Sequence, residues 1–289
     1  MKYQTLIVEE TNKLKKPTIY FFLKSNGFSE HFISNLRKNE DFILLNNKKS
    51  NLKTIIKSGD KIKVSLESAK PSTISECDGK LNIVFEDEDY LLINKPHNIP
   101  TIPSRSHQLD NLGGMVVKYM KEKDKNFVLR VLNRLDKETA GLVLIAKNIP
   151  AYNDIIDFQK TYYALCEGNL DNSSFDINIP IETKVENGIN VRRREVSPNG
   201  KPALTHVQLI KNFVGFCLCS FSLETGRTHQ IRVHMKSIGH PLIGDTIYND
   251  KYSNADSHTF LILKKMSFRH PKTNEIRSFE IDFPEDWNL

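Results

Sequence analysis

The sequence predicts an α+β fold: a small basic module of helices and strands, then a larger body with a mixed, mostly antiparallel sheet and flanking helices. Three observations predict it. Beyond residue 80, strand-like segments far outnumber helical ones. They do not alternate with helices as a βαβ array would. The excess of basic residues is confined to the first quarter of the chain. With 289 residues, 39% hydrophobic and 26% charged, the chain has an ordinary globular composition and is long enough for a large domain plus a small one. No apolar run approaches the ~20 residues that span a bilayer. The start, Met1-Lys2-Tyr3-Gln4-Thr5, opens no secretory pattern. Membrane and secreted readings are set aside, and the cytoplasm is the expected compartment.

The module comes first. Residues 1–70 carry 14 Lys+Arg against 7 Asp+Glu, whereas residues 71–289 carry 27 against 28. A polyanion-binding module on a near-neutral body has this asymmetry. Thr18 to Asn26 reads as a short helix with Ile19, Phe22 and Leu23 as its stripe and Gly27 as its stop. Ser29 caps a second, Glu30 to Asn39, with Phe32, Ile33 and Leu36 on one side and His31, Asn35, Arg37 and Lys38 away from it. Phe42–Leu45 reads as a strand leading into the turn 46–49, and Lys61–Leu66 alternates apolar with basic. Residues 71–80 lose all periodicity and are expected to be a linker.

In the body, 81–85 and 90–94 read as a hairpin around the acidic turn 86–89. Lys95 to His107 is a Pro- and Ser-containing loop, and Leu112 to Lys123 a helix. Gly141–Ala146 and Tyr162–Glu167 are strand candidates, and 190–195 and 204–209 flank the turn Pro198-Asn199-Gly200. Phe213–Leu223 is strand-like, Gln230–Ile238 a helix ending near Gly239, and the last strands lie near 260–266 and 278–281. The four cysteines form no Cys-x-x-Cys pair and read as small buried hydrophobes, with Cys217 and Cys219 on one face of a strand.

Three segments carry chemistry. In Arg134-Leu135-Asp136-Lys137-Glu138-Thr139-Ala140-Gly141-Leu142, an extended backbone projects Arg134 and Asp136 to one side. A carboxylate beside a cation stays ionised and acts as nucleophile or base. In Glu224-Thr225-Gly226-Arg227-Thr228-His229-Gln230-Ile231-Arg232-Val233-His234, a Thr-Gly turn enters a helix that carries Arg227, His229, Arg232 and His234. Its first N–H groups are a place for phosphate. His229 and His234 are five apart and no carboxylate completes a metal set, so no metal is expected. In Lys160-Thr161-Tyr162-Tyr163-Ala164-Leu165 a strand tyrosine offers a stacking face.

Together these segments resemble the RluA family of pseudouridine synthases over about residues 81–284. Arg134-Leu135-Asp136-x-x-Thr139-x-Gly141-Leu142 is similar to the family's catalytic motif, Lys160-x-Tyr162-x-Ala164-Leu165 to its tyrosine motif, and Thr225 to His234 with Gly239-His240-Pro241 and Gly244-Asp245 to its third. Asn94-Lys95-Pro96 and Gly200-Lys201-x-Ala203-x-Thr205 also fit. Residues 14–67 resemble the α-L RNA-binding module of ribosomal proteins. The departures are Asn133 where the family usually has His, a shorter stretch between Lys147 and Lys160, and Leu261-Ile262-Leu263 in place of Leu-His-Ala.

The resemblance implies a domain plan of residues 1–70 as an α-L module, 71–80 as linker and 81–289 as a pseudouridine synthase domain. It implies a site-specific isomerase turning uridine into pseudouridine in structured RNA, with large-subunit ribosomal RNA preferred over transfer RNA. No cofactor and no DNA or membrane partner is implied, and a monomer is expected. Asp136, Tyr162 and Arg232 are the implied catalytic residues, with Arg232 paired to Asp136 and Tyr162 stacking on uracil and serving as a base. Arg134 is placed with the flipped-out nucleotide, Arg227 and His229 with the RNA backbone, and Asn133 and Lys95 on the substrate side. Two other readings stand beside this one. A non-catalytic RNA-binding ribosome-assembly factor is favoured by Asn133 alone. A paired-carboxylate hydrolase would need Glu138 as second acid.

Overall fold

The computed structural model describes residues 3–12, 14–26, 28, 30–36, 42–65, 74–104, 106–125, 127–186, 189–253, 258–287 and 289. Gly27, Ser29, the side chains of His31 and Asn35, and Arg37 and Lys38 lie outside them, as do residues 66–73. No helix among the described residues is long and apolar enough to cross a membrane.

Near the N-terminus, β1 (Tyr3–Ile7), α1 (Ile19–Ser25), α2 (Glu30–Leu36), β2 (Ile43–Leu45), β3 (Lys48–Lys49) and β4 (Lys61–Ser65) form a unit with its own core. Its sheet is antiparallel in the order β1-β4-β2-β3. In β4, Ile62 and Val64 are fully buried beside Ile19, Leu23 and Ile33 while Lys61 is exposed, so the alternation read from the sequence is the strand's two faces. The Asn46-Asn47 turn holds both residues at positive φ (50° and 66°), and the short polar side chain of asparagine tolerates this. Strand β1 carries no turn or alternation signal and forms because β4 offers it a partner from Tyr3↔Ser65 to Ile7↔Lys61.

The body comprises β5 (Ile83–Glu86), β6 (Tyr90–Lys95), α3 (Leu112–Lys121), β7 (Ala140–Ala146), α4 (Ile149–Asn153), β8 (Ile156–Glu167), β9 (Ser174–Asn178), β10 (Ile181–Glu186), β11 (Ile189–Val196), β12 (Leu204–Asn212), β13 (Phe216–Leu223), α5 (Gln230–Ser237), β14 (Leu261–Arg269) and β15 (Ile276–Glu280). One sheet runs β5-β6-β7-β14-β8-β13-β12-β9, with β15 beside β14. Among the described strands, β7 and β14 are the one parallel pair. Every β7 residue is buried, which explains its unbroken apolar sequence. The five-residue α4 occupies the shortened stretch after Lys147, and its Ile149 packs into the N-terminal core.

Two features go beyond the local sequence pattern. The strands that flank Pro198–Gly200, β11 and β12, do not pair with each other. Strand β11 pairs with β10 as a separate two-stranded arm, and β12 lies between β9 and β13. The backbone after β11 stays with the start of β10, through Ser197 N–H to Pro180 O and the exchange between Lys201 and Ile181, so the turn leads out of the arm. The second half of the expected linker packs on α3. Cys77 is buried against Gly114, where an added Cβ would sit 2.1 Å from the thiol, and Lys121 and Lys118 pair with Glu76 and Asp78. A composition without periodicity gives no sign of such one-sided packing.

Gly141 stands at the parallel contact, at φ 114°, with the Leu263 backbone 2.4–2.8 Å from where a Cβ would be. Gly141→Ala is therefore expected to separate β7 from β14 and destabilise the protein by about 3 kcal/mol. Urea denaturation beside wild type reads this as a lowered midpoint.

Candidate active site

The Arg134–Asp136 segment leaves the sheet beside β7. Residues 130–132 run along that strand, with Leu132 N–H bonded to Leu144 O and Ala146 N–H to Arg130 O. Asn133 then continues the ladder with its side chain. Its Nδ2 donates to Leu142 O (3.0 Å) and its Oδ1 accepts from Leu144 N–H (2.9 Å). The amide thus holds the loop to β7, and Asn133 also lines the cleft that the other expected site residues share. This task needs one donor and one acceptor and no titration.

Past Asn133, burial alternates. Leu135 is buried, Arg134 is exposed and Asp136 is partly exposed, as an extended backbone requires. Thr101 clasps Leu135 twice, its hydroxyl donating to Leu135 O (2.7 Å) and accepting from Leu135 N–H (3.0 Å). His97 Nδ1 donates to Glu138 O (2.9 Å). Lys95 is fully buried, and its Nζ donates to Pro96 O, Ile99 O and Lys137 O at 2.9, 2.8 and 3.3 Å. Lys95 is therefore corrected from substrate binding to a buried post between the 96–101 loop and the Asp136 loop. Burial pulls its ammonium down to about 7, against the pull of Asp136 and Glu138. Three carbonyl acceptors match the three protons of the charged form.

The other wall is the start of α5. Gln230 fastens it, accepting from Arg227 N–H and Thr225 Oγ1 and donating to Leu204 O and Thr205 Oγ1 on β12. His234 is spent on Thr205 and Ile179 O, and no metal-holding cluster occurs among the described residues. Arg232 is fully buried. Its Nε and Nη2 bond both carboxylate oxygens of Asp245 at 2.7 Å, and its Nη1 lies 3.4 Å from Glu138 and 4.0 Å from Asp136 Oδ2. The expected Arg232–Asp136 pair is present as a long ion pair at 4.0 Å, and Asp245 is the main partner. Burial raises the Asp245 carboxyl, but Arg232 and the N–H groups of Ile247 and Tyr248 outweigh it and hold the carboxyl below its ordinary range. His229 is also corrected. It is buried and not open to an RNA backbone, with Nδ1 2.8 Å from the Tyr248 hydroxyl and Nε2 3.8 Å from Asp136 Oδ2, at a left-handed backbone position (φ 59°).

Asp136, Tyr162, Arg232, Arg134, Asn133, Arg227 and His229 line one cleft of about 700 Å³, together with Lys160, Lys137 and His107. Arg227 sits at its rim, with Nε on Pro202 O. Tyr162 comes from β8, opposite Phe221 and Leu263. Burial and Asp136 push its phenol well above its ordinary value, so in the resting site it is a neutral face. Burial likewise lowers Lys160. The sequence reading did not single out Glu138 as an Arg232 partner, nor Tyr248 or Lys160. Tyr248 stands three residues after Asp245, but nothing local showed that both turn towards α5.

The cleft sets a carboxylate among cations on one side and a neutral tyrosine face on the other, an arrangement suited to a polar ligand with a flat ring. Residues 89–237 match the family described as RNA pseudouridylate synthase. The chain is 35% identical over 241 residues to the uncharacterized RNA pseudouridine synthase YhcT of Bacillus subtilis (80% of this chain, 78% of that one). It is 30% identical over 271 residues to the ribosomal large subunit pseudouridine synthase D of Neisseria meningitidis (86% and 70%). Human RNA pseudouridylate synthase domain containing 4 shares the fold, with TM-score 0.56 and 21% identity over 72% of this chain and 90% of that one. The chain belongs to the RNA pseudouridylate synthase family and is an RNA pseudouridine synthase.

Lys95→Met keeps most of the unbranched stem but leaves three buried carbonyls without the Lys95 donor. A loss of about 2–4 kcal/mol in unfolding free energy is expected. Thermal and urea unfolding measure it.

Proposed function

We propose that the protein isomerises specific uridines in large-subunit ribosomal RNA, with Asp136 as the carboxylate that acts. The observation that carries this reading is the position of Asp136, partly exposed in the cleft that also holds Tyr162 and Arg134, with Arg232 Nη1 4.0 Å away. The reaction breaks the C1′–N1 bond and makes a C1′–C5 bond. N1 gains a proton and C5 loses one to solvent, so there is no net oxidation. Asp136 acts at the sugar, as nucleophile or as the base that starts elimination. The guanidinium of Arg232 faces that carboxylate from within the cleft. Tyr162 gives the turning uracil a flat neutral face. Arg134, exposed at the cleft, suits the space vacated in the RNA, and Arg227 suits a flanking phosphate. Four of the similar proteins, from three genera, are named ribosomal large subunit pseudouridine synthase D, which supports that RNA over transfer RNA. Asn133, the one feature favouring a non-catalytic factor, serves the backbone of β7 and so no longer weighs against activity.

We also propose that the N-terminal unit binds RNA as an α-L module would. Its charge excess and the exposed Lys48 and Lys61 support this reading.

Large-subunit ribosomal RNA and transfer RNA transcripts labelled with tritium at uridine C5 test the first reading. Wild type is expected to release label from the ribosomal transcript, and Asp136→Asn to release none while binding it equally well. Release from transfer RNA alone would overturn the choice of RNA. For the module, Lys48→Ala and Lys61→Ala should each lower the slope of log affinity against log salt by about 1. A filter-binding salt titration reads this, and unchanged slopes would remove the module from the RNA interface.

A further inference from the structure

We propose that His229 is a positioning residue for Asp136, held by Tyr248 in the tautomer that carries its proton on Nε2. The inference rests on the reading of Asp136 as the carboxylate that acts.

Tyr248 is 2% exposed, and its phenol oxygen makes two hydrogen bonds. One comes from the backbone N–H of Arg194 on β11, at 2.7 Å, and a backbone N–H can only donate. The other is the 2.8 Å contact with His229 Nδ1. If Nδ1 carried a proton, the phenol would accept from both neighbours and its own buried hydrogen would have no acceptor among the described residues. Such an orphan costs about 1–3 kcal/mol. The Tyr248 O–H therefore donates to Nδ1, and the neutral imidazole bears its proton on Nε2, the atom 3.8 Å from Asp136 Oδ2. The guanidiniums of Arg193 and Arg232 lie 5.5 and 5.2 Å from the Tyr248 ring, and their charge further favours the phenol as donor.

The backbone supports the same reading. His229 is the residue before α5 and sits in the left-handed region at φ 59°. Uncommon conformations of this kind persist where the surroundings over-determine them, often beside reacting groups. At 3.8 Å the Nε2–H is not yet bonded to Asp136. Contacts of this kind tighten when substrate displaces water from the site. The Nε2–H then holds Oδ2 and turns the other carboxylate oxygen toward the sugar. The orientation of Asp136 so depends on a chain from Arg194 through Tyr248 to His229.

Four variants and one spectrum test this. His229→Asn keeps an acceptor at the Nδ1 position and removes the donor. The single-turnover rate on the ribosomal transcript should fall about 10- to 100-fold, with RNA affinity unchanged. His229→Gln restores an N–H near the Nε2 position and should recover much of the rate. Tyr248→Phe should slow the reaction less than His229→Asn, and should add nothing in that background, since Tyr248 acts only through His229. In wild type, the nitrogen-15 spectrum of the histidines should show His229 as the Nε2–H tautomer, and Tyr248→Phe should mix the two forms. The spectrum needs no RNA, so it tests the tautomer whichever transcript responds and even if His229→Asn fails to fold. A wild-type Nδ1–H tautomer, or a wild-type rate in His229→Asn, overturns the proposal. An active Asp136→Asn instead overturns the reading of Asp136, and the two failures are told apart.

Discussion

Arg232 and Asp245 form a two-point ion pair in which neither side chain is exposed, and it is the fixed point of the active site. Burying two charges carries a desolvation cost that only good geometry and further hydrogen bonds offset. Here both carboxylate oxygens receive the guanidinium at 2.7 Å, and one of them also accepts from the N–H groups of Ile247 and Tyr248. The pair ties α5 to the 244–249 turn, brings Tyr248 under His229 and leaves Nη1 of Arg232 facing Glu138 and Asp136. Removing either partner would leave a buried charge alone and loosen both walls of the cleft at once.

The second constraint is the fastening of the Asp136 loop. Each of its residues from Asn133 to Glu138 except Arg134 is held by backbone or through backbone: Asn133 to β7, Leu135 to Thr101, Lys137 O to Lys95, Glu138 O to His97, and Asp136 O to the Thr139 N–H. A carboxylate that must meet the sugar within a few tenths of an ångström gains from a loop with so little freedom. Gly141 belongs to the same arrangement, because only a residue without Cβ lets β7 lie this close to Leu263. Several motif residues of the family are thus architectural in this chain, and their chemistry lies in placing Asp136 and not in touching RNA.

The N-terminal unit and the body are joined by more than a tether. Ile149 of α4 enters the N-terminal core, so the shortened stretch after Lys147 ends in a contact. The unit's basic face and the arginines of the β10–β11 arm both belong to elements outside the main sheet, and the arm reaches the site through Arg194 and Tyr248.

The sequence by itself determined the α+β class, the two helices and alternating strand of the basic unit, the buried strand 140–146 and the helix from Gln230. These follow from local periodicity, which backbone geometry converts directly into faces. It also determined which residues meet: seven of the eight expected site residues, all but Lys95, line one cleft, because the motif order places them on facing elements. What the tertiary structure alone decided is how each is used. Lys95 and Asn133 went to backbone carbonyls, His229 turned inward to Tyr248, Arg232 went first to Asp245, and β11 paired with β10 and not β12. A cation's or an amide's partner is set by which acceptor lies within about 3 Å in the folded chain, and the local pattern from which a sequence is read does not show which acceptor that will be.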